Sequence, residues 1–143
     1  MPYRYLEDIA ISDAAFEAWG GKLEDMFVAA AEATMNVMIE DMDTIENRQQ
    51  RAIRVEADSM DMLLFEFLQE LVYYKDAEQL LLRVSNVRID RQNDHFTAVA
   101  DAYGEKLDPT RHEQTADVKS VTMHRFQVEE TGEGWKATVI LDI

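Results

Sequence analysis

The chain has 143 residues and is strongly acidic: 14 Lys and Arg stand against 29 Asp and Glu, a formal net charge of −15. This length suits a single domain with one hydrophobic core, and a 47% hydrophobic content predicts a folded chain. The negative charge repels phosphate groups and therefore disfavours tight direct binding of RNA or DNA. It suits a cation or a basic protein partner, although an acidic surface also serves solubility alone.

The chain contains no cysteine. Disulfides, thiolate zinc sites and cysteine nucleophiles are thereby excluded, and a cytoplasmic location is expected. There is no long uncharged apolar run, so we predict no transmembrane helix, and the first five residues have no signal-peptide core.

The N-terminal part predicts two strands followed by a helix. Residues 3–9 and 14–19 have strand patterns, and Gly20 and Gly21 end the second. Residues 22–39 predict a helix because apolar side chains recur at three- and four-residue steps: Leu23, Met26, Phe27, Ala30, Thr34, Val37 and Met38.

The acidic segment 40–43 offers carboxylates for a cation, but it lacks the glycine and the spacing of an EF-hand loop, so a solvated turn is favoured. Residues 48–57 alternate charged and apolar side chains, which predicts a half-buried strand. Asp58 or Ser59 can cap a second helix over residues 60–76.

The C-terminal half returns to the two-residue period of strands. The predicted segments are strands 82–90 and 96–103 joined by a turn at Asn93 and Asp94, a loop 104–114, a strand or the beginning of one at 117–124, and a closing hairpin of 125–130 and 135–142 around 131–134. Strands at both ends with two helices between them predict an α+β fold. We expect a single compact domain with a mostly antiparallel β-sheet and two main helices packed on one face.

The strand-like run 135–143 brings the Asp142 carboxylate within one residue of the α-carboxylate of Ile143. Held by a sheet, two such groups would make a compact cation site of hard oxygen ligands. The alternative is an ordinary closing strand.

Familiar nucleotide-binding and hydrolase motifs are absent from the sequence. The three histidines, His95, His112 and His124, are not at metal-ligand spacing on one helix, so they do not predict a zinc site. Carboxylate ligands favour calcium, magnesium or manganese over zinc or copper.

Lys119 lies in a strand-like segment where alternation places it on the same face as Val121. A lysine in that position must form an ion pair or extend its amine to solvent. An internal salt bridge and a functional contact both remain open.

Residues 104–124 resemble the signature of the archease family, G-x-x-[LF]-D-x-x-x-H-x-x-x-x-x-V-K-A-V-T-Y-H. The ending 139–143 resembles the family's V-I-L-D-I/L terminus, residues 65–71 resemble its W-L-N-E-L helix, and residues 13–20 resemble its D-x-x-x-x-A-Y-G segment. The resemblance covers essentially the whole chain, 1–143, in order and at matching length. One departure is clear: where archeases usually have H-T-A-D, this chain has Ala10, Ile11, Ser12 and Asp13.

The resemblance implies a non-catalytic role as activator of an RtcB-type RNA ligase, in tRNA splicing and RNA repair. In that role the protein promotes guanylylation of the ligase and multiple turnover, and RNA is contacted only through the ligase. The resemblance also implies a cation site of Asp13, Asp142 and the Ile143 carboxylate, and links Lys119 to activity. We extend the expectation of a partner or activation role to His112 and His124 of the same signature. The alternatives are a metal-dependent phosphohydrolase using Asp13, Asp142 and Lys119, and a general acidic chaperone or adaptor.

Overall fold

The structure is a computed structural model that describes residues 2–7 and 13–143. Within these residues, eight strands, two helices and one short 3-10 helix follow one another along the chain. In order they are β1 (Tyr3–Leu6), β2 (Asp13–Gly20), α1 (Leu23–Met38), a 3-10 helix (Met42–Thr44), β3 (Gln49–Ala57), α2 (Met60–Glu78), β4 (Leu80–Gln92), β5 (His95–Lys106), β6 (Ser120–Val121), β7 (Gln127–Thr131) and β8 (Gly134–Asp142).

The strands of the described residues form two sheets, and every strand pair is antiparallel. The first has the order β1-β2-β8-β6, with β7 also paired to β8, and the second has the order β3-β5-β4. Helix α1 packs against β2 and β8 of the first sheet and against β4 of the second, while α2 packs mainly against the second. The predicted α+β fold with antiparallel strands and two helices is confirmed, and the strands are divided between two sheets.

The two helices form where their sequences predict them, because each has an apolar face that the sheets bury. Phe27 of α1 and Phe67 of α2 are fully buried, with ring centroids 5.5 Å apart. Of the two predicted caps for α2, Ser59 is the one used: its Oγ accepts a hydrogen bond from the Met62 N–H at 3.3 Å. None of the described helices is long and apolar enough to cross a membrane.

The edge strand beside β8 is broken, and this corrects the prediction of a strand, or the beginning of one, at 117–124. Because β2 pairs with β8 along its whole length, β6 and β7 must share the other edge of β8. Ser120 pairs with Asp142, whereas Gln127 pairs with Thr138, so the register shifts between the two strands. Only Ser120 and Val121 of the predicted strand are therefore in β6. The predicted turn at Asn93, which has φ 57°, and the closing hairpin β7–β8 are both confirmed.

Two other boundaries predicted from the sequence need comment. Residues 8 and 9 of the predicted first strand lie outside the described residues. The predicted loop at 104–114 begins later than expected, because β5 continues to Lys106 while it pairs with the start of β4.

Gly104 is required at its position in β5 by close approach of the neighbouring strand. A Cβ atom on Gly104 would lie 1.6 Å from the carbonyl oxygen of Leu81 and 2.8 Å from its carbonyl carbon. Both are backbone atoms of a buried strand, so they cannot move aside as a flexible side chain would.

We therefore expect Gly104→Ala to lower the free energy of unfolding by about 3 kcal/mol or more, because the added methyl overpacks the β4–β5 pair. Chemical denaturation measures the change. Gly132→Ala is the matched control, since nothing lies within 4 Å of its Cβ position and its φ is not positive. The control should change stability by less than about 0.5 kcal/mol. Equal effects of the two substitutions would contradict the close approach.

Candidate functional site

The ends of β2 and β8 place two carboxylates side by side. Asp13 is the first residue of β2, Asp142 is the last of β8, and the two are directly opposite each other in the antiparallel register. Side chains opposite each other in such a pair point to the same face, with Cβ atoms about 4.5–5.5 Å apart. Both residues are half-buried, so their carboxylates remain within reach of solvent.

Asp142 is held from its other side by β6. Ser120 is its direct partner there, and the Lys119 N–H donates to the Asp142 carbonyl oxygen at 2.8 Å. The next bond along, from the Thr122 N–H to the Ile140 carbonyl oxygen, measures 3.0 Å. Asp142 therefore lies between two neighbouring strands, and Ile143 follows it directly.

Within residues 2–7 and 13–143, no group of three or more His, Cys, Asp or Glu side chains is arranged to hold a metal ion. Side chains of the described residues thus supply two carboxylates here, those of Asp13 and Asp142. Neither Asp13 nor Asp142 forms an ion pair with a Lys, Arg or His of the described chain. An unneutralised pair of hard oxygen ligands fits calcium, magnesium or manganese chemically.

Lys119 is exposed, and the structure corrects the prediction of its face. Val118 and Val121 are both buried, because the segment before Ser120 is irregular and does not alternate as a strand would. Lys119 forms no ion pair with a described residue, so the internal salt bridge is wrong. Its side chain lines a shallow depression together with Tyr73 and Asp76 of α2, while its backbone is bonded to Asp142.

Comparison with known proteins matches residues 3–143 to the model of the Archease protein family (MTH1598/TM1083). The chain belongs to the archease family. The protein archease of Pyrococcus abyssi is 35% identical over 133 residues, which cover 92% of this chain and 93% of that protein. The protein archease of Methanosarcina barkeri is 33% identical over 144 residues, covering 99% and 95%.

Solved structures agree with this assignment. The solution structure of Methanobacterium thermoautotrophicum protein 1598 has a TM-score of 0.85 and 31% identity, and covers 99% of each chain. The crystal structure of an archease from Thermotoga maritima, described as a possible chaperone, has a TM-score of 0.58 at 16% identity and covers 96% of this chain and 97% of that one. The second likeness shows the fold alone.

The structure places the three histidines in very different settings. His95 lies at the β4–β5 hairpin, where its ring contacts Glu56 and Asp58. His124 is exposed in the turn between β6 and β7. His112 is buried: its Nδ1 accepts from the Asp108 N–H at 2.8 Å, so its Nε2–H is the donor to Glu105 at 3.1 Å.

Glu105 is a buried polar residue that sequence reasoning missed. Its side chain is 4% exposed, and it accepts bonds from His112, from Arg111 and, at 2.7 Å, from the Glu46 N–H. Burial by itself would raise the pKa of this carboxyl, but the bonds from Arg111, the Glu46 N–H and His112 outweigh it and lower the pKa to about 2. These bonds attach the loop after β5, and the signature residues on it, to the second sheet.

The remaining charged candidates are occupied by local contacts. Asp41 in the acidic segment accepts from the Asp43 N–H at 3.0 Å, so this segment is a turn around the 3-10 helix. Three arginines of β4 are also each near a carboxylate: Arg83 with Glu32 and Asp43, Arg88 with Asp90, and Arg91 with Asp94.

Glu105 makes the fold sensitive to acid in a defined window. Its pKa is lowered from 4.5 to about 2 in the folded chain, so its contribution to stability is complete above about pH 4.5 and is lost as the pH falls towards 2. We expect Glu105→Gln to lower the free energy of unfolding at pH 7 by about 2 kcal/mol, since charged hydrogen bonds are lost. The variant should also lose part of the pH dependence between 4.5 and 2.

Denaturant melts at a series of pH values measure both effects. Glu133→Gln in the exposed β7–β8 turn is the matched control and should keep the wild-type slope. A Glu105→Gln variant with that same slope would show that Glu105 does not carry this acid dependence.

Proposed function

We propose that this protein is a non-catalytic activator of an RtcB-type RNA ligase. As an activator it promotes guanylylation of the ligase and allows multiple turnover. Membership of the archease family over residues 3–143 carries the proposal. A net charge of −15 supports contact with a protein partner, and with RNA only through the ligase. The setting would be tRNA splicing or RNA repair in the cytoplasm.

We further propose that Asp13, Asp142 and the α-carboxylate of Ile143 bind one divalent cation, with calcium, magnesium and manganese as candidates. The direct pairing of Asp13 with Asp142 supports this site. Two carboxylates held 4 Å apart near a surface would repel each other by about 4 kcal/mol. A bound cation would neutralise this charge and offer a positive centre to phosphate oxygens.

Lys119 and His124 are the candidates for contact with the ligase. Lys119 is exposed, and its backbone N–H is bonded to the Asp142 carbonyl oxygen, which supports a role beside the proposed cation. His124 is exposed four residues after Ser120. Burial leaves His112 no direct contact, and its role would be to hold the signature loop.

A turnover assay tests the partner. At limiting ligase, we expect this protein to raise the number of RNA joining events per ligase above about one, because re-guanylylation becomes efficient. Lys119→Ala should reduce the gain without changing the melting temperature, since its side chain makes no ion pair with a described residue. An unchanged number of turnovers with excess protein would overturn the proposal. Phosphate-ester hydrolysis without ligase would favour the phosphohydrolase instead.

Thermal melting tests the cation site. Calcium, magnesium or manganese at a hundredfold excess over its Kd should stabilise the wild type by about 2.7 kcal/mol. Asp13→Asn, Asp142→Asn and a chain extended by a few residues after Ile143 should each lose most of this gain. The extended chain keeps every side chain and replaces the free carboxylate by a peptide bond. Full stabilisation of the extended chain would remove Ile143 from the ligand set.

A further inference from the structure

Helix α2 runs along the irregular segment that contains β6 and contacts it in antiparallel order. Three of its side chains make polar contacts there: Lys75 pairs with Asp117, Gln69 accepts from the Val121 N–H at 2.9 Å, and Asp61 accepts from the Val128 N–H at 3.2 Å. The Gln69 contact lies between the other two and reaches β6 itself.

The Val121 N–H has no partner within the five-stranded sheet. The bond from the Thr122 N–H to the Ile140 carbonyl oxygen shows that Thr122 and Ile140 form a hydrogen-bonded pair of the antiparallel ladder. Hydrogen-bonded and non-bonded pairs alternate, so the Val121 N–H points away from β8. Val121 is 4% exposed, and β6 is at the edge of its sheet, so the Gln69 Oε1 supplies the acceptor that a further strand would otherwise provide.

We propose that Gln69 is a positioning residue for the cation site, acting through β6 on Asp142. This inference rests on the proposed function, because it assumes that Asp13 and Asp142 bind an ion. Gln69 lies on α2, which does not contribute a ligand to that site. Its effect on the ion is therefore transmitted by the backbone of β6.

The transmission follows from the short length of β6. Two residues pair with the end of β8, and the Lys119 N–H adds one bond to the Asp142 carbonyl. Without the Gln69 acceptor, the buried Val121 N–H favours conformations in which β6 leaves β8 for water. Among the described residues, Asp142 then pairs only with Asp13 of β2, which is itself a proposed ligand. Ion binding would have to order both strand ends.

Calcium titration by calorimetry on the full chain tests the inference with two substitutions of similar size. Gln69→Met removes the strong acceptor, and we expect the Kd for calcium to rise about tenfold, which corresponds to about 1.4 kcal/mol. Gln69→Glu keeps an oxygen acceptor at the same reach and should stay within about threefold of the wild type. Gln127→Met, on the exposed part of β7, controls for the loss of an amide and should leave the Kd unchanged.

Amide hydrogen exchange of the ion-free protein is the second readout. Gln69→Met should speed exchange at Val121 and Lys119 more than in the strands of the second sheet, whereas a general loss of stability would speed both. If Gln69→Met does not fold, Gln69→Asn replaces it, because its shorter amide does not reach the Val121 N–H.

The outcomes separate the two proposals. A wild type that binds no calcium, magnesium or manganese overturns the cation site and this inference with it. A wild type that binds calcium, with an unchanged Kd in the variant lacking the acceptor, overturns the positioning role and leaves the cation site standing. A Kd for calcium that rises in Gln69→Met but stays near the wild-type value in Gln69→Glu supports the positioning role.

Discussion

The antiparallel pairing of β2 with β8 is the contact on which the candidate site depends. It joins two segments from opposite ends of the chain over eight residue pairs, from Asp13 with Asp142 to Gly20 with Trp135. A slip of one residue would turn the Asp13 side chain to the other face of the sheet relative to Asp142. The buried Phe16 and Val139, directly opposite each other on the helix-facing side, oppose such a slip because both would lose their place in the core.

The same pairing places two acidic residues, Asp13 and Asp142, directly opposite each other. Further along β2, Glu17 contacts both Arg4 and Lys136, and these cations lower the pKa of its carboxyl. Asp13 and Asp142 have no such partner among the described residues. These two acids without a cationic partner are the basis of the proposed cation site.

Helix α2 serves both parts of the molecule. Its buried face packs on the second sheet, and its polar side chains hold the segment from Asp117 to Val128 against the first. That segment contains Lys119 and His124, yet only two of its residues before β7 are in a strand. Side-chain contacts from the helix therefore replace the ladder of hydrogen bonds that a continuous edge strand would have. The exposed position of Lys119 is a consequence of this arrangement.

Local patterns in the sequence determined both helices, the Asn93 turn and the closing hairpin, because these depend on periodicity and turn chemistry within a few residues. The signature at 104–124 indicated the family, and family resemblance indicated Asp13, Asp142 and Lys119. Tertiary structure alone decided the division into two sheets, the burial of Glu105 and His112, the extension of β5 through Gly104, and the break between β6 and β7. Each of these depends on a neighbour distant in the chain: the β2–β8 register, the Glu46 N–H bonded to Glu105, the Leu81 carbonyl beside Gly104, or the Gln69 amide bonded to Val121. A sequence pattern records which side chains a segment offers, but not which backbone lies beside it.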